Sequence, residues 1–136
     1  MNSAAFSLEG YIFDKVEMDL SILKPKTTFN IDFAPSGKFD PARKQYKLSF
    51  MFSAKDDESG HDVVKVRCVA NFVFRDLGDG QDIPDFFYTN SIAILFPYVR
   101  AFVSTVTLQA NIQPVVLPTL NLTELKDVLK ANTERI

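Results

Sequence analysis

Hydrophobic and polar positions alternate along the first half of the chain. Between Phe6 and Leu20 the even positions Phe6, Leu8, Gly10, Ile12, Val16, Met18 and Leu20 are mostly apolar, and the odd ones include Ser7, Glu9, Lys15, Glu17 and Asp19. A period of two over such a run predicts a half-buried strand, or two strand pieces joined by a bend near Gly10 or Asp14. Tyr11 and Phe13 break the alternation on the polar face. They mark either an aromatic pair facing a neighbouring subunit or a local bulge. Phe29, Ile31 and Phe33 alternate with Asn30 and Asp32, and Ala34-Pro35-Ser36-Gly37-Lys38 is expected to end this second strand. A turn at Phe39-Asp40-Pro41 precedes the clearest strand, in which Tyr46, Leu48, Phe50, Phe52 and Ala54 alternate with Lys47, Ser49, Met51, Ser53 and Lys55. A fourth strand is predicted over Val63 to Arg75, with Val64, Val66, Cys68, Ala70, Phe72 and Phe74 on one face. Its other face mixes Lys65, Arg67, Asn71 and Arg75 with Val63, Val69 and Val73, so part of the outer surface is expected to touch something.

The period changes after the turn-rich loop Asp76 to Pro84. Phe86, Phe87 and Tyr88 form an aromatic cluster at the junction. A helix start or kink is expected at Phe96-Pro97, because the first turn of a helix needs no donor from the residue proline occupies. From there Val99, Phe102, Val103, Val106 and Ala110 fall on one helical stripe. The β-branched residues Val99, Val103, Thr105, Val106 and Thr107 lower its propensity, so packing must hold this helix. A coil broken by Pro114 and Pro118 leads to a short last helix, capped by Asn121 or Thr123, with Leu122, Leu125, Val128 and Leu129 as its apolar stripe.

Four strands followed by two helices predict an α+β fold: a four-stranded antiparallel sheet with both helices packed on one face, in a single domain spanning residues 1–136. Thirteen phenylalanines and no tryptophan in 136 residues call for a dense core, an apolar surface kept for a partner, or both. A net charge of -2 gives no electrostatic footprint for nucleic acid. The stretch Met1 to Phe13 has no basic segment followed by an apolar run, and the apolar stretches are interrupted by Arg100 and by prolines. Neither a secretory signal nor membrane insertion is therefore expected, and the cytoplasm is the default location.

Residues for catalysis are scarce. The one nucleophile and base pair is Cys68 with His61, the first on an apolar strand face and the second in the charged loop Lys55 to Asp62. That loop gathers four carboxylates and the histidine, but Lys55 stands where a calcium loop needs an acid. Gly37-Lys38 is no phosphate loop, because Asp32 and Phe39 occupy the positions of its first glycine and its serine or threonine. The pattern predicts a binding protein with no cofactor and no metal rather than an enzyme.

The run Ile94-Leu95-Phe96-Pro97-Tyr98-Val99-Arg100, followed by Pro114 and by Leu117-Pro118-Thr119-Leu120-Asn121-Leu122, resembles the signature of the SecB family of export chaperones. The order of elements resembles that family over most of the chain. The resemblance implies an ATP-independent holdase that assembles as a dimer of dimers, a homotetramer, and binds unfolded client polypeptide in long apolar grooves. It implies that the helix from Pro97 to Ala110 packs between subunits, with Tyr98, Val99, Phe102, Val103 and Val106 at the interface. Apolar character, rather than any motif, suggests a client groove at Phe29, Phe33, Phe39, Phe86, Phe87, Tyr88, Leu125 and Leu129.

Typical export members end in an acidic tail that helps engage the SecA motor, whereas this chain stops soon after its last helix with balanced charges. That puts SecA as a partner in doubt, and fits SecB-like chaperones dedicated to antitoxins at least as well as those serving secretory precursors. A small apolar-ligand-binding domain or an oligomeric scaffold is the alternative from a different class.

Overall fold

The computed structural model describes residues 5–136. The first four residues of the stretch read for a secretory signal lie outside them. Four long strands come first: β1 (Ala5–Met18), β2 (Phe29–Asp40), β3 (Gln45–Asp56) and β4 (Asp62–Arg75). They are followed by α1 (Asp85–Gln109), α2 (Leu122–Ala131) and a short β5 (Thr133–Arg135). The sheet order is β1-β4-β3-β2-β5. Neighbours pair antiparallel except β5, which runs parallel to β2.

The expected four-stranded antiparallel sheet is thus corrected to a mixed sheet of five strands. Three residues with no alternation to display give a sequence no sign of β5. Its pairing is set by position: Gly37 donates to the Asn132 carbonyl at 3.1 Å and Ile136 donates to Phe39 at 2.9 Å.

β2 also outruns its expected end. It continues through Pro35 and Gly37 to Asp40. Alternate residues of a strand direct their main-chain groups to opposite edges, and Gly37 directs its N–H to β5, so Pro35 faces that same edge. There the sheet has no neighbour to miss the donor that proline lacks. The turn expected at Phe39-Asp40-Pro41 falls later, over residues 41–44, because β2 runs to Asp40, whose carboxylate accepts from the N–H groups of Ala42 and Arg43, each at 3.1 Å.

The inner face of β3 and β4 is the core. Tyr46, Leu48, Phe50, Phe52, Val66, Cys68, Ala70 and Phe72 are fully buried. α1 covers this face with Phe87, Ile92, Leu95, Val99 and Val103, all fully buried, and the Phe87 ring meets Phe6, Tyr46, Phe72 and Phe74. Each large apolar side chain so placed contributes roughly 1.5–3 kcal/mol.

That burial explains why α1 begins twelve residues before Pro97, at Asp85, with the proline inside it. An interior proline costs about 3 kcal/mol. Pro97 lies on the exposed side, where a helix can lengthen its backbone bonds towards water. Phe86, Phe87 and Tyr88 accordingly form the first turn of α1, not a loop before it.

In β1 the register against β4 shifts between Leu8 and Gly10 and again between Phe13 and Lys15. Each bulge turns the strand over, so Tyr11 and Phe13 point to the helix side between the two shifts. Phe13 stacks on Phe102 at 4.0 Å with 9° between the planes, and Tyr11 lies 4.5 Å from Tyr98. Ile12 is turned out and is 62% exposed. Of the two readings of the aromatic pair, the bulge is the one found.

Candidate functional site

An open trough of about 230 Å³ runs between β2 and the connection from α1 to α2. Its floor is Ile31 and Phe33 on β2, its far wall is Thr119, Leu120 and Asn121, and Leu125 bounds it from α2, so apolar and polar residues share its lining. Strand alternation puts Ile31 and Phe33 on the inner face, and the Phe33 ring leans on Phe50, Phe52 and Phe96 at 5.7–5.8 Å. Arg100 lies over the outer side of Phe96, 4.8 Å from its ring centre. Asp32 and Glu124 stand on the rim.

The wall has an anchor at each end. At its far end Asn121 caps α2, its side-chain oxygen accepting from Glu124 N–H at 3.1 Å, which decides between the two expected caps. Nearer α1, Val115 and Leu117 turn inward and are buried. α2 is held from three sides. Asp85 in the first turn of α1 pairs with Lys126 at 2.6 Å and Lys130 at 3.1 Å, and its carboxyl is held below the usual range chiefly by those two ammonium groups. Beyond α2, Arg135 pairs with Asp82. Beneath it, the Thr133 hydroxyl donates to the Leu129 carbonyl at 2.7 Å. Thr133 has one hydrogen to give, so Tyr46 donates to it, also at 2.7 Å.

The expected groove residues divide into two groups. Phe29 and Phe33 are half-buried, Phe33 and Leu125 line the trough, and Phe86 is exposed at the start of α1. Phe39, Phe87 and Leu129 are sealed in the core, and Tyr88 is 4% exposed. These four hold the fold and offer no surface to a ligand. The expected interface residues divide likewise: Val99 and Val103 are fully buried against this chain's own sheet, Phe102 and Val106 are half-buried, and Tyr98 is exposed. Ile31 and Leu120 belong to the trough and were missed as site residues. Ile31 shares the strand face of Phe29 and Phe33, which was a readable signal; Leu120 sits in a coil, where no periodicity marks an inward side chain.

Cys68 is fully buried, and burial pushes its thiol up to about 11. His61 is exposed at the β3–β4 turn. The Asp56 carboxylate there is engaged by its own loop, accepting from the Ser59 hydroxyl at 2.7 Å, which holds its pKa down. Larger depressions accompany the trough. One on the outer face of the sheet, about 320 Å³, includes Lys38, Lys47 and the paired Asp14 and Arg67. Another, about 580 Å³, lies between Ser21–Lys24 and the charged turn, with Ile22 and Leu23 giving it an apolar side.

α1 is long and apolar enough to cross a membrane by length and composition, with a mean hydropathy of 1.6 over 18 residues. In this structure its buried stripe is the lid of the sheet.

The sheet, with a long helix and a short one on its inner face, has the SecB-like chaperone fold. It is shared with the Mycobacterium tuberculosis SecB-like chaperone Rv1957, solved in complex with a ChAD peptide from the HigA1 antitoxin. The similarity extends over 85% of this chain and 88% of that one, with a TM-score of 0.68 and 20% identity. A Streptococcus agalactiae protein of unknown function aligns over 87% of this chain and all of its own, with a TM-score of 0.47 and 16% identity. In sequence, an uncharacterised protein of Methanocaldococcus jannaschii is 52% identical over 50 residues, which is 34% of this chain and 32% of the relative. The match therefore spans about a third of that relative's length. No family model matches the chain.

Proposed function

We propose that this protein is an ATP-independent chaperone, a holdase that keeps unfolded or extended polypeptide in the trough between β2 and the α1–α2 connection. The observation that carries this reading is the trough itself: an open channel with apolar residues on floor and wall and polar groups between them, on a fold shared with a chaperone solved with a peptide bound. Ile31, Phe33 and Leu120 offer an extended chain several small apolar contacts, with the largely buried Leu125 behind them. Each is weak, and contacts repeated across several subunits add by avidity without demanding one sequence. The first client to test is an antitoxin, with secretory precursors second.

The outer side of α1 supports assembly. Ile94, Tyr98 and Leu108 are 39%, 42% and 58% exposed on a 25-residue helix whose charged residues are Asp85 and Arg100. We assign this side to subunit contact in a cytoplasmic homotetramer.

The test is suppression of aggregation. A denatured protein diluted into buffer without nucleotide should scatter less light when this chaperone is present at equal subunit concentration. A variant carrying Ile31→Ser and Leu120→Ser should fold and assemble but protect poorly. No protection by the unaltered protein would overturn the reading. Equal protection by the double variant would move the client site elsewhere.

A further inference from the structure

The far wall of the trough has no ladder of hydrogen bonds to fix its path. It is a coil, residues 112–121, interrupted by Pro114 and Pro118. Its first half is tied to α1 by one buried side chain, Thr107. That hydroxyl donates to the Val103 carbonyl at 2.8 Å and accepts the Val115 N–H at 3.0 Å. It also lies 3.2 Å from the Ser104 carbonyl. A hydroxyl has one hydrogen, so the bond back to the helix uses it and leaves a lone pair for Val115. Bonding back to the preceding turn is ordinary for a helical threonine. Capturing a main-chain N–H eight residues ahead, in another segment, is not.

The tie is well placed to govern the wall. Thr107 is fully buried and Val115 is 4% exposed, so water cannot replace either partner without the coil moving. The main chain adds a longer bond, from Ile112 N–H to the Thr107 carbonyl at 3.4 Å. Between this tie and the Asn121 cap lie Thr119 and Leu120, two of the residues that face Ile31 and Phe33 across the trough.

We propose that Thr107 is a positioning residue for the client trough: its hydroxyl sets where the wall stands relative to β2, and thereby how long a client is retained. This rests on the reading of the trough as the client site. Valine has the shape of threonine but would leave the Val115 N–H buried without a partner, and the wall would shift to hydrate it. Serine keeps the hydroxyl.

The experiment compares Thr107→Val and Thr107→Ser in the full chain, with reduced, alkylated, fluorescently labelled lysozyme as the unfolded probe. Hydrogen exchange is followed over residues 112–121 and over β3 and β4, alongside the rate of probe release. Thr107→Val should speed exchange in the coil, leave β3 and β4 protected, and release the probe about tenfold faster, while Thr107→Ser stays near the parent. Thr107→Cys, whose thiol accepts weakly, supplies a graded variant if valine impairs folding, with an intermediate release rate expected. Faster coil exchange with unchanged release would overturn the assignment, as would exchange rising equally in coil and sheet. Failure of the unaltered protein to retain the probe would overturn the client-site reading, and this assignment with it.

Discussion

Gly37 is small because of Tyr46. A Cβ at position 37 would sit 1.9 Å from the tyrosine hydroxyl, inside any tolerable contact. The same hydroxyl bonds Thr133 and so joins β3 to the start of β5. Gly37→Ala should therefore push Tyr46 off Thr133 and cost about 1–3 kcal/mol, as overpacking does, measured as a lower urea midpoint with an unchanged slope. Tyr46→Phe loses the bond alone and should cost about 1 kcal/mol. The tyrosine also sets an alkaline limit. Burial raises its pKa above the ordinary value, and burial likewise raises the Cys68 thiol to about 11. In both cases the unfolded chain loses its proton first. Their contribution is complete below about pH 8.5, where an unfolded thiol begins to ionise, and fades as pH rises towards 11. Cys68→Ala should remove the part of this decline that starts near pH 8.5, leaving the tyrosine part beginning near pH 10; unfolding curves taken from pH 7 to 11 would show it.

Elements are joined here by aromatic pairs and a few ion pairs. The Phe13–Phe102 stack binds the bulged centre of β1 to α1. A double-mutant cycle with Phe13→Leu and Phe102→Leu should return a coupling of about 0.5–1.5 kcal/mol; zero coupling would mean that the two rings merely share a surface. α2 depends on both ends of its neighbourhood, Asp85 before it and β5 after it. Deleting residues 133–136 should leave β3 and β4 protected while the amides of α2 exchange faster, because the deletion removes the parallel ladder and the Thr133 link but none of the core of the sheet.

At the scale of the whole molecule, one face of α1 is used and the other is left apolar in water. A helix hydrophobic on all sides belongs in an interior, so the exposed side of α1 is expected to meet another subunit. Ile94→Arg with Tyr98→Arg should lower the solution mass measured by light scattering without changing the melting of the isolated chain by more than a few degrees. An unchanged mass would place the subunit contacts away from this side. β1 leaves a long unpaired edge, and its two bulges and charged residues Glu9, Asp14, Lys15 and Glu17 are devices that discourage indiscriminate pairing.

Local pattern determined what depends on near neighbours along the chain. The inward faces of β3 and β4 were readable from alternation, since a residue's side of a strand follows from its parity. The stripe of α2 was readable because it depends on spacings of three and four, and its cap was narrowed to Asn121 or Thr123, of which the structure uses Asn121. The trough was legible only in outline: Phe33 and Leu125 stand out by pattern, while Leu120 does not. Tertiary packing decided the rest. It carried α1 through Pro97, because buried apolar residues on both sides outweigh the proline. It extended β2 past Pro35, because an edge strand has no neighbour to miss the donor. It turned Tyr11 and Phe13 towards the helix by bulges that no alternation announces. It sealed Phe39, Phe87 and Leu129 into the core and left Ile31 open to the trough. All of these are apolar in the sequence, and only their place relative to distant segments separates a core residue from one that lines the trough.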